Sequence, residues 1–167
     1  MRNRYAFIAI ITAIVTLIDQ ATKALVLLSI PLYTEIPIIK GLFSLVHVRN
    51  RGAAFGFLNR HDISWQFWLF LAATLIAVVV VIMLARSSRA DDHPFFLALG
   101  MILGGAVGNL IDRVRYREVI DFLDFYYGNY HWPAFNVADI AICCGAGLAL
   151  VLSLRRAPDK TPGNAGR

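Results

Sequence analysis

Trp65–Ala85 reads WQFWLFLAATLIAVVVVIMLA and carries no charged side chain. A run of about 20 apolar residues is the length at which an α-helix crosses the hydrocarbon of a bilayer. Three further apolar runs accompany it: Tyr5–Leu28, Pro94–Ile111 and Val137–Leu154. Of the 167 residues, 58% are hydrophobic, and the mean hydropathy is +0.62. A soluble domain is closer to half apolar, so the excess calls for a solvent other than water. Only helices or closed barrels satisfy their backbone groups inside lipid. Barrel strands alternate apolar and polar residues, whereas these runs are continuous. The expected fold is an all-α polytopic membrane protein with four transmembrane helices. Residues 1–156 are expected to form one membrane-embedded domain. The tail 157–167, polar and containing Pro and Gly, is expected to be a disordered cytoplasmic segment.

Arg2 and Arg4 ahead of the first run imitate a signal peptide, but the run is longer than a signal core and carries Asp19 and Lys23 near its end. An uncleaved first helix follows. Pro94 suits the first turn of the third helix, with Asp92 or His93 before it. Between the first two spans, Phe43–Val48 has strand character, punctuated by Pro31, Pro37 and Gly41. This predicts a small extramembrane β-element in the first outer loop, resting on the membrane surface. Phe122–Phe135 is rich in aromatic rings, which favour the headgroup level. Cys143 and Cys144 are helix neighbours that point apart, and they read as small buried hydrophobes.

The net charge of +5 does not point to nucleic acid, because the basic residues flank the apolar runs and suit lipid headgroups. The side that holds both termini would carry eight Lys and Arg, and the opposite side seven. The short Arg86–His93 loop with its two arginines, and Arg2 and Arg4, favour cytoplasmic termini. The two long loops then face outward.

Ionisable residues inside spans are costly and mark function. Asp112 and Arg113 close the third span, Asp139 opens the fourth, and Asp121 and Asp124 lie between them. G-x-S-x-G and H-E-x-x-H patterns are absent, and the four histidines show no zinc spacing. No metal or cofactor is expected, and carboxylates remain as acid and base. Asn109-x-x-Asp112 is echoed by Asn136-x-x-Asp139, each spacing placing an amide and a carboxylate on one helix face. Two close carboxylates share a proton. The charged one takes a proton from water, and the neutral one donates to a scissile carbonyl. The same spacing equally makes Asn136 and Asp139 a capping box, and it does not separate Asp121 from Asp124. Asp19 and Lys23, at i and i+4, also read as a neutralised pair, and Gly104-x-x-x-Gly108 as helix packing. A transporter or proton pathway is the alternative reading, although its ionisable groups would run through the whole bilayer.

The motifs Gly108-Asn109-Leu110-Ile111-Asp112-Arg113, Val119-Ile120-Asp121-Phe122 and Phe135-Asn136-Val137-Ala138-Asp139, in this order, resemble the lipoprotein signal peptidases, signal peptidase II. Asp19-Gln20-x-x-Lys23 and Asn50-x-Gly52-Ala53-Ala54-Phe55 agree. The resemblance implies an aspartic endopeptidase of the bacterial cytoplasmic membrane. Its substrate would be a diacylglyceryl-prolipoprotein, cut just before the lipidated cysteine. The resemblance places catalysis on Asp121 and Asp139. Asn109, Asp112, Arg113 and Asn136 would support that pair, and Asn50 with Gly52 would face the substrate or the inhibitor globomycin. Asp19 and Lys23 would play a structural or site-supporting part. A monomer in contact with membrane lipid is expected. Arg51, and Gly56 in place of a common serine, are the departures from the family pattern.

Overall fold

The computed structural model describes residues 2–52 and 65–156. The Ala53-Ala54-Phe55 part of the loop motif, Gly56 and the tail 157–167 lie outside the described residues. Among the described residues, four helices are long and apolar enough to cross a membrane: α1 (Arg2–Ser29), α2 (Gln66–Ser87), α3 (His93–Tyr116) and α4 (Val137–Arg156). The described residues also include four strands: β1 (Glu35–Ile39) and β2 (Phe43–Asn50) between α1 and α2, and β3 (Val119–Tyr127) and β4 (Tyr130–His131) between α3 and α4. They form one antiparallel sheet in the order β1-β2-β3-β4.

The sheet corrects one expectation. The strand at Phe43–Val48 is present, but half of the sheet comes from the aromatic connector, read above only as an interface anchor. Val119-Ile120-Asp121-Phe122 is buried on both faces, so it lacks the alternation that advertises a strand. Asp124 is buried within β3, opposite Ser44 of β2.

The third helix is the hub, packing on α1, α4 and α2. Its glycines permit this. A Cβ on Gly100 would stand 2.7 Å from Ile11 Cβ, and one on Gly104 would stand 2.7 Å from Val15 Cβ. One on Gly105 would collide with the Ala138 carbonyl of α4. Packing through small residues is how helices approach closely where water supplies no hydrophobic drive, as the Gly104–Gly108 spacing implied. Thr12 and Thr16 reinforce the seam by donating to the Gly100 and Gly104 carbonyls. At the opposite end of the bundle from the termini, Val26 of α1 and Ile30 just beyond it pack with Ile120 and Phe122 of β3. This contact seats the sheet on the helices.

The third helix runs past the apolar segment, through Asp112 and Arg113 to Tyr116. Arg117, at φ 63°, adopts the left-handed conformation that ends a helix, and two residues later β3 begins. This tight turn brings the end of α3 and the start of β3 together: the Ile120 N–H donates to Asp112 Oδ2 at 3.3 Å.

Candidate active site

Asp121 and Asp139 line the same pocket, of about 730 Å³, together with Asn50, Gly52, Asn109 and Arg113. Asp121 projects from β3 and is only 3% exposed. Asp139 lies in the first turn of α4. Asn136 ties them together. Its Nδ2 donates to Asp121 Oδ1 at 2.7 Å, while its backbone N–H donates to Asp139 Oδ2 at 3.2 Å. Asn136 Oδ1 in turn accepts the Asp139 N–H at 3.0 Å. This reciprocal pairing is a capping box in which Asn stands at the cap. Capping and site geometry therefore coexist in the same two residues. The other oxygens are held as well: Asn109 Nδ2 donates to Asp139 Oδ1 at 2.8 Å, and Asn50 Nδ2 to Asp121 Oδ2 at 3.2 Å.

The two carboxylates differ in surroundings. Asp121 is pushed up from 3.8 to about 7, first by burial and then by the negative charge of Asp139. Both causes penalise the charged form. The amides of Asn50 and Asn136 oppose them without cancelling them.

Behind the pocket lies a buried polar cluster. Lys23 Nζ meets Asp19 Oδ2 at 2.9 Å, Asp112 Oδ2 at 2.7 Å and Asn109 Oδ1 at 2.9 Å. All three N–H donors of the ammonium have an acceptor, as a buried charge requires. Asp19 Oδ1 accepts the Ala138 N–H at the start of α4, where a carboxylate also complements the helix dipole. Gln20 Nε2 donates to Asp112 Oδ1 at 2.8 Å, to the Gly108 carbonyl at 3.1 Å and to Asp19 Oδ2 at 3.2 Å. The Asn-x-x-Asp echo is thus not symmetric. Asn109 reaches the carboxylate pair, whereas Asp112 turns away to Lys23.

Arg113 Nη2 donates to the Gly52 carbonyl at 2.9 Å and Nη1 to the Asn109 carbonyl at 3.3 Å. Its Cζ sits 3.8 Å over the Phe70 ring of α2, a cation–π contact. Asn50 Oδ1 accepts the Gly52 N–H at 2.9 Å, a local turn that Asn readily makes. Arg51, named above as a departure from the family pattern, pairs with Glu118 at 2.7 Å and pins the start of this loop to the α3–β3 turn.

Sequence reasoning missed several parts. Gln20 was part of a quoted motif, but its link to Asp112 needs the α1–α3 pairing. Trp132, Pro133, Ala134 and Phe135 form one pocket wall; their aromatic signal was visible, and its role was not. Cys143 and Cys144 are free and exposed on the pocket side of α4 rather than buried. Asp124 shares the β3 face of Ile120 and Phe122, away from the pocket, with its Oδ2 2.8 Å from His131 Nδ1.

Four apolar spans under a small sheet, with a polar pocket at one end, form the architecture of a polytopic membrane enzyme. Two solved chains share it, each titled as a bacterial membrane enzyme structure obtained by the in meso method. One, at 2.3 Å, has a TM-score of 0.79 and 26% identity over 94% of this chain and 93% of that one. The other, at 1.9 Å, has a TM-score of 0.75 and 27% identity over 88% and 92%. Residues 11–155 match the family described as signal peptidase (SPase) II, and the chain belongs to that family. A lipoprotein signal peptidase of Nitratidesulfovibrio vulgaris is 56% identical over 96% of both chains. That of Oleidesulfovibrio alaskensis is 56% identical over 87% of this chain and 93% of its own. That of Geobacter metallireducens is 48% identical over 93% and 94%. The chain is a multi-pass membrane peptidase.

Proposed function

We propose that the chain removes signal peptides from diacylglyceryl-modified prolipoproteins, cutting just before the lipidated cysteine, with Asp121 and Asp139 as an aspartic dyad. The observation that carries this reading is the pairing of two carboxylates across one pocket through the single residue Asn136, whose side-chain amide holds Asp121 and whose backbone N–H holds Asp139. Asp121, whose proton is held to about pH 7, is the acid. Asp139, in the first turn of α4, where the helix dipole favours a charged carboxylate, is the base. Asp139 takes a proton from water as its oxygen attacks the scissile carbonyl, and Asp121 protonates the carbonyl oxygen. The tetrahedral intermediate then collapses: the C–N bond breaks, the nitrogen receives the proton held by Asp139, and the hydroxyl proton returns to Asp121.

Asn109, Asn136 and Asn50 orient the dyad, and Arg113 with Gly52 shapes the loop that meets substrate. Asp19, Lys23 and Asp112 hold α1, α3 and α4 in register beneath it. The pocket walls from Ile140 to Cys144 and from Trp132 to Phe135 are mostly apolar, which suits a substrate that arrives through lipid with acyl chains attached. Remote apolar binding of this kind positions the reacting bond. With the termini and the Arg86–Arg89 loop cytoplasmic, the dyad lies near the outer face of the bacterial inner membrane, where a lipidated cysteine is anchored. The enzyme acts as a monomer, and globomycin competes for the same pocket.

Asp121→Asn and Asp139→Asn each abolish cleavage of a diacylglyceryl-prolipoprotein by the purified enzyme, lowering kcat by about 10²-fold or more, while the folded protein is retained. Normal cleavage by either variant overturns the dyad.

A further inference from the structure

A second cavity lies away from the carboxylates. The helices α1 and α2 each lean on α3 and hardly touch one another. They leave a groove of about 580 Å³ between Tyr5, Ala9, Ala13 and Leu17 of α1 and Val78 and Ile82 of α2. Its floor includes Leu103 and Val107 of α3. The wall hydroxyls, Thr12 and Thr16, are committed to the Gly100 and Gly104 carbonyls, so the groove offers almost no polar atom. A polar ligand would find no partner there.

Depth decides what apolar group fits. From Tyr5 to Leu17 the α1 wall rises about 18 Å. One leaflet's share of the hydrocarbon core is about 15 Å. The groove therefore spans one leaflet and stops, whereas a transmembrane helix would need twice that depth. Charge marks the mouth. At the Tyr5 end, Arg4 Nη1 donates to the Ala85 and Ser88 carbonyls at 2.7 and 3.1 Å, which fixes a partly exposed guanidinium beside the groove. Exposed Arg86 follows Ala85 on α2.

We infer that this groove is a lipid site: it takes one acyl chain of a phospholipid from the leaflet on the Arg4 side, with an anionic headgroup phosphate set against Arg4. Guanidinium and phosphate are a favoured charge-assisted pair, and basic residues beside a span attract anionic lipid. The site is separate from the dyad pocket and shares none of its lining residues.

The test is native mass spectrometry of the purified chain released from detergent after incubation with dipalmitoyl phosphatidylglycerol or dipalmitoyl phosphatidylcholine. The wild-type chain retains one lipid and prefers the anionic one. A combined Ala9→Phe and Ala13→Phe variant fills the groove from exposed positions and retains about tenfold less of either, since displacing even two methylenes has that effect. Ile82→Trp, which fills it from α2, does the same and guards against misfolding of the first variant. Both groove variants keep wild-type cleavage of prolipoprotein. Arg4→Gln retains lipid but loses the preference for the anionic headgroup. Absence of a retained lipid, equal retention in the filled variants, or a wild-type dimer that those variants break would overturn the site.

Discussion

Asn109 Nδ2 stands 2.8 Å from Asp139 Oδ1, and the amide cannot rotate, because Lys23 Nζ holds its oxygen at 2.9 Å. A lysine on α1 thus sets which end of a side chain on α3 faces a carboxylate on α4. Asn109→Ala removes one donor from that carboxylate. A hydrogen bond to a charged group contributes about 1.5–3 kcal/mol, so kcat falls about 10- to 100-fold with little change in KM. Steady-state cleavage of a lipidated peptide measures both.

Lys23 pairs with two buried carboxylates at once. Lys23→Met leaves Asp19 and Asp112 in a dry site without a counter-charge, and removing one partner of a buried pair costs about 3–5 kcal/mol. The expected outcome is a large drop in Tm in detergent. An unchanged Tm would show that water reaches the cluster.

The proton on Asp121 gives a pH dependence with a definite sign. If Asp121 is the acid, it acts while protonated, so kcat falls as pH rises through about 7. The same shift makes stability depend on pH. The folded value lies above the ordinary 3.8, so the stabilising contribution is complete below 3.8 and is lost as pH rises to about 7. Thermal melting across that window shows the decline, and Asp121→Asn flattens it.

Asp124 lies three residues after Asp121 and faces the other side of β3. Asp124→Asn keeps cleavage, because His131 Nδ1 can still donate to the remaining carbonyl oxygen. If Asp124→Asn abolished cleavage of prolipoprotein and Asp121→Asn did not, the two roles would have to be exchanged.

Gly105 lies against the Ala138 carbonyl, one residue before Asp139. Gly105→Ala pushes α4 away from α3, lowers Tm and cuts kcat by displacing Asp139. Gly147→Ala, whose Cβ meets nothing within 4 Å, is the matched control and leaves both measurements unchanged.

The membrane spans were legible without any structure, because a bilayer imposes a length and a composition that few other environments require. The Gly104–Gly108 packing seam was legible for a related reason: close helix approach in lipid depends on small side chains at a fixed spacing. Asn136 and Asp139 announced a helix start by spacing alone. The choice of Asp121 over Asp124 came only from the resemblance to a family, since neither periodicity nor charge distinguishes them.

Tertiary structure decided what local sequence rules do not encode. Val119–Phe122 of β3 is covered on both faces, so its alternation vanished and the connector read as loop. Asp112 turns to Lys23 instead of joining its twin, because the α1–α3 seam places an ammonium there first. Cys143 and Cys144 face outward because α4 buries its other side on α3. In each case the outcome depends on which distant element occupies the neighbouring space, and short-range patterns carry no record of that.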